Sequence, residues 1–111
     1  MIRDEAIFQS PEFVDICRLH QVKELYIFGS VAKGTNTDNS DVDLLVEIDE
    51  KDPIVRGKLI LSIYAALQSY FNKKVDLLTT DSIRNPTLKD EIANTKVMVY
   101  AREQITSYRV D

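Results

Sequence analysis

The sequence predicts an α+β (mixed α/β) fold, a short mixed β-sheet flanked by helices, and three observations support this class. Apolar residues recur at helical spacing in two stretches, around residues 11–20 and 53–71. Four short apolar runs have the length and composition of strands. The order is helix, strand, strand, helix, strand, helix, strand, so helices are available to cover the strands. With 111 residues, we expect one domain, 1–111.

The first half of the chain contains one helix and one strand before a turn. Ser10 is a predicted N-cap and Pro11 suits the first helical position, after which apolar residues recur at helical spacing. Residues 24–28 form an apolar run of strand length. Residues 29–34 are expected to form a turn that contains one helical turn, and the polar residues 35–40 a loop.

The second half begins with a strand that has one face on a core. From residue 41 to 48 the even positions are apolar, and they alternate with a set that contains three acids. Asp52 and Pro53 open the longest helix, whose apolar stripe belongs to the core first, although an exposed remainder could meet a partner. The remaining predicted elements are a strand at 74–78, a short helix over 88–94 and a strand at 97–100. Strand order and direction do not follow from these patterns.

Composition excludes several classes of protein. Hydrophobic residues make up 44% and charged residues 29%, which is ordinary for a globular domain. No apolar run reaches the roughly 18 residues of a membrane span, and the charged N-terminus shows no secretory signal. The single cysteine, Cys17, cannot form an intrachain disulfide and is expected to be a small buried side chain. We expect a cytoplasmic protein that does not enter a membrane.

The net charge of −4 bears on possible partners. Binding to duplex nucleic acid relies on many Lys and Arg contacts to phosphate, so no direct nucleic-acid binding is expected. A nucleotide remains possible, because a bound metal can supply positive charge locally.

Three carboxylates stand where strands disfavour them. Asp41 and Asp43 lie in one predicted strand and Asp76 in another, although strand interiors disfavour Asp and charge is rarely buried without a partner or metal. Alternate strand residues share a face, so Asp41 and Asp43 project together, roughly 7 Å apart. If the strand of Asp76 is a neighbour, the three acids form one cluster whose repulsion a divalent cation relieves. This arrangement suits Mg²⁺ in phosphoryl transfer.

A candidate phosphate cradle precedes these acids. Gly29 permits close approach of a ligand to the backbone, and a short helix that begins near Ser30 would direct free N–H groups and one hydroxyl at an anion. Lys33 follows one turn later and can place an ammonium near a phosphate; the alternative is a solvated lysine. The Walker and dinucleotide-binding glycine motifs are absent from the sequence.

These residues together resemble a known signature. Ile27-Phe28-Gly29-Ser30, followed after ten residues by Asp41-Val42-Asp43, is similar to the motif of the DNA polymerase β-like nucleotidyltransferase superfamily. The short length resembles its minimal nucleotidyltransferase (MNT) branch, and there the MntA-like antitoxins of HEPN/MNT toxin–antitoxin modules. The resemblance covers about residues 24–100 and includes Val31-Ala32-Lys33-Gly34 and Asn39-Ser40-Asp41.

The resemblance implies an activity and a set of roles. Asp41, Asp43 and Asp76 would be the metal ligands and catalytic carboxylates, with the third helping to activate the attacking hydroxyl. Gly29, Ser30, Lys33 and Ser40 would bind ATP, although Ser40 could instead shape the loop. Many relatives carry Arg where this chain has Lys33. Lysine keeps the positive charge but lacks the guanidinium group with which Arg binds a phosphate through two hydrogen bonds.

The implied reaction is transfer of AMP from ATP, with Mg²⁺, to a hydroxyl. Family members of this size imply an antitoxin that modifies a tyrosine of a helical HEPN ribonuclease toxin, with which it would form a hetero-oligomer. Two alternatives stay open: a module that neutralises its partner by contact with little catalysis, and an enzyme that modifies a small molecule such as an antibiotic. The sequence does not choose the acceptor.

Overall fold

The computed structural model describes residues 6–35, 37 and 39–102. It contains five helices, four strands and a 3₁₀ turn at Thr80–Ser82 in that part of the chain. The helices are α1 (Ala6–Gln9), α2 (Pro11–Leu19), α3 (Gly29–Lys33), α4 (Pro53–Phe71) and α5 (Pro86–Thr95). The strands are β1 (Val22–Phe28), β2 (Val42–Ile48), β3 (Val75–Thr79) and β4 (Val97–Ala101). Every predicted element is confirmed, whereas α1 and the 3₁₀ turn were not predicted.

The four strands form one mixed sheet with the order β3-β2-β1-β4. β1 pairs antiparallel with both β2 and β4, while β2 and β3 run parallel. A parallel pair needs a crossover connection, and α4 supplies it between β2 and β3. β3 is consequently an edge strand beside β2. The mixed sheet flanked by helices is the predicted fold class.

The main core lies between α2, α4 and one face of the sheet. The apolar positions of β2 that were predicted to face a core are all buried: Val42, Leu44, Val46 and Ile48. They pack in one cluster with Phe13 and Cys17 of α2 and with Ile63, Leu67 and Phe71 of α4. Burial raises the pKa of the Cys17 thiol to about 12, so this cysteine is an inert core residue, as predicted.

Helix caps fix where the main helices begin. Ser10 Oγ accepts a hydrogen bond from the Phe13 N–H, and the Asp52 carboxylate accepts from the Ile54 N–H at 2.9 Å. Asn85 caps α5 in the same way. Each cap satisfies backbone donors that the first turn leaves unpaired, and each is followed by a proline that suits the first helical position.

The opposite face of the sheet carries the acids. Leu45 is buried outside the main cluster, and alternation along β2 puts it on the same face as Asp43. Right-handed crossovers from β2 to β3 and from β3 to β4 run in opposite directions across the sheet, so they place α4 and α5 on opposite faces. Ile92 of α5 is likewise buried outside the main cluster. Over the described ranges, no helix has the length and apolar composition needed to cross a membrane.

Candidate active site

The parallel register brings two of the predicted carboxylates side by side. Asp43 of β2 is the direct partner of Asp76 of β3, and neighbouring strands lie about 4.8 Å apart. Asp41 comes immediately before β2, where the Val42 N–H donates to the Lys74 carbonyl at 3.0 Å and fixes the start of the pairing. The sequence placed the two acids of 41–43 together, and the sheet order adds the third.

The raised pKa of Asp43 marks this residue as the centre of the group. Partial burial is the largest cause that raises the pKa of Asp43, and the charges of Asp76 and then Asp41 raise it further. Lys74 offers Asp41 only a distant ammonium, 4.0 Å away, and both side chains are largely solvent-accessible. No described cation forms an ion pair with Asp43. Apart from this distant ammonium at Asp41, the carboxylates face one another without a countercharge among the described residues.

The three acids, hereafter the carboxylate trio, suit a hard divalent cation by their chemistry. Carboxylate oxygens are the ligands that Mg²⁺ prefers, and a cation would remove the repulsion that acts on Asp43. Over residues 6–35, 37 and 39–102, no three His, Cys, Asp or Glu side chains already form a group that could hold a metal ion. The trio thus shares one end of a strand pair without forming a closed cage.

Gly29 packs directly against the Asp43 carboxylate. Its backbone has a φ of +69°, a left-handed conformation that side chains rarely adopt. A Cβ built at Gly29 would collide with Asp43 Oδ2 and lie 3.2 Å from its Cγ. Phe28, the residue before it, is the direct register partner of Asp43. Glycine is therefore required here for two separate reasons, and the backbone at the start of α3 lies against the acid group.

The helix α3 presents the rest of the predicted cradle. Ser30 is its second residue and is half-buried, and the first N–H groups of a helix have no intrahelical partner. Lys33 is its last residue, and its ammonium pairs with Glu91 of α5 at 3.6 Å. Ser40 Oγ accepts a hydrogen bond from the Thr37 N–H at 2.8 Å and shapes the loop before the trio. Gly29 thus lies beside Asp43 and Ser30 follows it in α3, whereas Lys33 and Ser40 have protein partners in this structure.

A cavity of about 560 Å³ lies at the other end of β2 and β3 and was not predicted from the sequence. It is lined by residues of both strand ends, the 3₁₀ turn and the first turns of α4, among them Glu47, Arg56, Gly57, Thr79 and Asp81. Its mouth carries an ion pair between Arg56 and Asp81 at 3.8 Å. These residues come from four separate elements, so local sequence pattern gives no signal for them. The cavity is separate from the carboxylate trio.

Residues 12–105 match the family model described as polymerase beta, nucleotidyltransferase. The chain belongs to this family. It is a nucleotidyltransferase. A protein of Methanocaldococcus jannaschii, provisionally named a protein adenylyltransferase, is 40% identical over 81 residues, which is 72% of this chain and 79% of that protein.

Solved structures share the fold of this nucleotidyltransferase. A structure described as a minimal nucleotidyltransferase superposes with a TM-score of 0.66 at 23% identity, over 85% of this chain and 94% of that one. A chain from a complex of a tri-AMPylated Shewanella oneidensis HEPN toxin with an MNT antitoxin gives a TM-score of 0.53 at 18% identity, over 95% and 79%. At these identities the likeness establishes the polymerase β-like nucleotidyltransferase fold.

Proposed function

We propose that this nucleotidyltransferase uses Mg²⁺ to transfer AMP from ATP to a hydroxyl of a partner protein, and that it acts in the cytoplasm as the antitoxin of a HEPN toxin. The observation that carries the chemical part is the register of β2 and β3, which pairs Asp43 with Asp76 beside the backbone of Gly29. Carboxylates and an approachable glycine backbone at one point are the two halves of a metal–triphosphate site.

The chain's own residues divide the work between two groups of substrate atoms. Bound Mg²⁺ would neutralise charge on the phosphates, held by Asp41, Asp43 and Asp76. The N–H groups at the start of α3 and the Ser30 hydroxyl would bind triphosphate oxygens and orient them. Lys33, which pairs with Glu91 in this structure, would exchange that exposed carboxylate for a phosphate oxygen.

Two observations support Asp76 as the acid that serves the acceptor. It is the exposed member of the trio and lies on the edge strand β3, so an incoming hydroxyl can approach it from solvent. We assign to it the role of accepting a hydrogen bond from that hydroxyl and favouring loss of its proton as the oxygen attacks the α-phosphate. Pyrophosphate is the leaving group of this displacement.

Two likenesses support a protein as the acceptor. The relative from M. jannaschii carries a name as a protein adenylyltransferase, and the S. oneidensis complex contains a toxin that bears AMP groups beside an MNT antitoxin. From these we propose a HEPN toxin as the partner and one of its tyrosine hydroxyls as the acceptor.

The test compares two carboxylates of the same strand. The protein is incubated with Mg²⁺, ATP labelled at the α-phosphate, and the protein encoded by the adjacent reading frame. We expect label on the partner, and we expect Asp43→Asn to lower the labelling rate by at least about 100-fold. Glu47→Gln is the matched control, because Glu47 lies on the same strand and face but outside the trio; it should label at the wild-type rate.

Three results would change the proposal in different ways. Equal labelling by wild type and Asp43→Asn would remove the assigned site. Labelling that does not depend on Mg²⁺ would contradict the proposed requirement for a metal ion. If the Asp43→Asn variant transfers nothing yet still protects cells from the partner, neutralisation occurs by contact and the transfer reaction is not the antitoxin mechanism.

A further inference from the structure

The helix α4 exposes large apolar side chains on the side that faces away from the core. Its inner face is buried through Ile63, Leu67 and Phe71. On its outer face Ile54 is 70% exposed and Leu61 is 72% exposed. From residue 59 to residue 71 the helix carries no charged side chain. Large apolar side chains that are exposed together on one face mark a surface that a partner can cover, and the outer face of α4 carries two of them.

The exposed outer residues form one stripe along the helix. They recur at spacings of three and four, and we call this set the α4 stripe: Ile54, Lys58, Leu61, Ser62, Ala65 and Ser69. Its only charge is Lys58, for which no ion pair is seen within the described residues. Leu19, at the end of α2, is 76% exposed beside it, since the neighbouring His20 ring bonds to Ser62 Oγ at 2.8 Å.

The stripe is graded in size from one end to the other. Its N-terminal half holds the large side chains, Ile54, Lys58 and Leu61, and its C-terminal half holds the small ones, Ser62, Ala65 and Ser69. A parallel copy of the helix would place large against large. An antiparallel copy places each large side chain against a small one, with Ile54 opposite Ser69 and Lys58 opposite Ala65. The stripe is therefore complementary in shape to itself, in one orientation only.

We propose that the α4 stripe is the contact between two copies of this chain, related by a two-fold axis near Leu61 and Ser62 with their α4 helices antiparallel. In this arrangement Lys58 of one copy lies over the uncharged C-terminal half of the other α4, so no like charges meet. Such a contact is isologous, so the pairing closes at two copies.

This contact leaves the carboxylate trio open. The core-facing residues of β2 point toward α4, and alternation puts Asp43 on the opposite face of the sheet. One pair of helices buries less than the roughly 800 Å² per partner of a standard stable interface. The dimer is therefore expected to dissociate on dilution.

The experiment is sedimentation equilibrium of the full chain over a concentration series. We expect the mass to rise from the monomer value of 12.7 kDa to twice that value with increasing concentration. Leu61→Glu should hold the protein at the monomer mass, because the carboxylates would meet near the two-fold axis. Leu88→Glu is the matched control: Leu88 is an exposed leucine of α5, away from the stripe, and this variant should dimerise as wild type.

A second variant tests the antiparallel register through a gain in dimer affinity, so its result cannot be explained by misfolding. Ala65→Glu would place a carboxylate opposite Lys58 of the other copy, twice per dimer, so it should lower the dissociation constant severalfold. Circular dichroism and thermal melts of all variants confirm that the fold is kept.

The proposal is overturned if wild type stays at the monomer mass throughout, or if Leu61→Glu and Leu88→Glu behave alike. It is also overturned if Ala65→Glu weakens the dimer as Leu61→Glu does, since that excludes the antiparallel register. If wild type is monomeric and Leu61→Glu instead fails to co-purify with the protein from the adjacent reading frame, the stripe belongs to that partner and the two-copy assignment is wrong.

Discussion

The two ends of β2 shift the pKa of an aspartate in opposite directions. At the start of the strand Asp43 is partly buried beside two other acids, and its pKa is raised. Just past the end of the strand Asp49 is exposed, and Arg102 binds it at 2.7 Å. The hydrogen bond and charge of Arg102 lower the pKa of Asp49. Asp49 therefore has a cationic partner, whereas Asp43 has none among the described residues.

This difference separates a structural acid from a functional one. An exposed pair such as Asp49 and Arg102 contributes little to stability and needs nothing further from solvent or ligand. The carboxylate trio adds charge repulsion to the fold, so the fold itself gives no reason for these three acids, whereas the proposed bound cation does. A raised pKa beside like charges is a known feature of functional sites. The contrast therefore predicts that changes at the two ends have opposite consequences.

The largest expected effect comes from the residue packed against the trio. Gly29→Ala places a methyl group where Asp43 Oδ2 lies, in addition to the cost of about 1–3 kcal/mol for a positive φ. Displacing the carboxylate by an ångström would lower the transfer rate about 100-fold. Thermal unfolding and the labelling assay measure the two consequences separately.

Gly34→Ala is the control for this change. Gly34 also has a positive φ, 74°, but a Cβ there meets no atom within 4 Å. We expect this variant to lose stability through backbone strain alone and to keep its transfer rate. Similar losses of activity in both variants would mean that the contact between Gly29 and Asp43 has no catalytic importance.

The next effect tests the missing countercharge directly. Adding Mg²⁺ should raise the melting temperature of wild type. The free energy of unfolding should increase by about 1.4 kcal/mol when free metal is ten times its Kd. Asp41→Asn combined with Asp43→Asn should abolish this response. Asp49→Asn should keep it, because Asp49 lies at the other end of β2. A response that survives in the double variant would place the metal elsewhere.

The sequence predicts the local structure of the two ends of β2 better than the contacts between distant segments. The N-cap at Asp52 and the burial of Val42 and Leu44 follow from chemistry within a few residues, and both are confirmed. The pairing of Asp43 with Asp76 does not, because sheet order depends on how distant segments pack. The family resemblance was needed to join these acids before the fold was known.

The same limit explains what the sequence did not reveal about individual side chains. Lys33 was predicted to bind phosphate, but the approach of α5 brings Glu91 to it, and no local pattern indicates that contact. The apolar stripe of α4, which was expected to belong to the core, includes Val55, yet this side chain is 39% exposed. Because large apolar residues occur on more than one side of that helix, its periodicity does not define which face is inside.

The smallest expected effect is on stability in the absence of metal. A folded-state pKa raised above the unfolded value, as at Asp43, gives stability that is present below the unfolded pKa and is lost as pH rises through the folded pKa. At neutral pH the ionised Asp43 therefore costs stability, and Asp43→Asn should melt at a higher temperature than wild type. Solvent screening limits the gain to less than about 1 kcal/mol, and it should vanish as pH falls below the unfolded pKa near 4.

Asp49→Asn should behave in the opposite sense. The lowered pKa of Asp49 gives stability above its unfolded pKa that is lost as pH falls through the folded value, so this variant should be less stable than wild type at neutral pH and equal to it in acid. Thermal melts from pH 3 to 8 in chelator measure both variants. The comparison fails if both variants lose stability at neutral pH, because both acids would then be structural, and the carboxylate trio would have no unmet charge for a metal to satisfy.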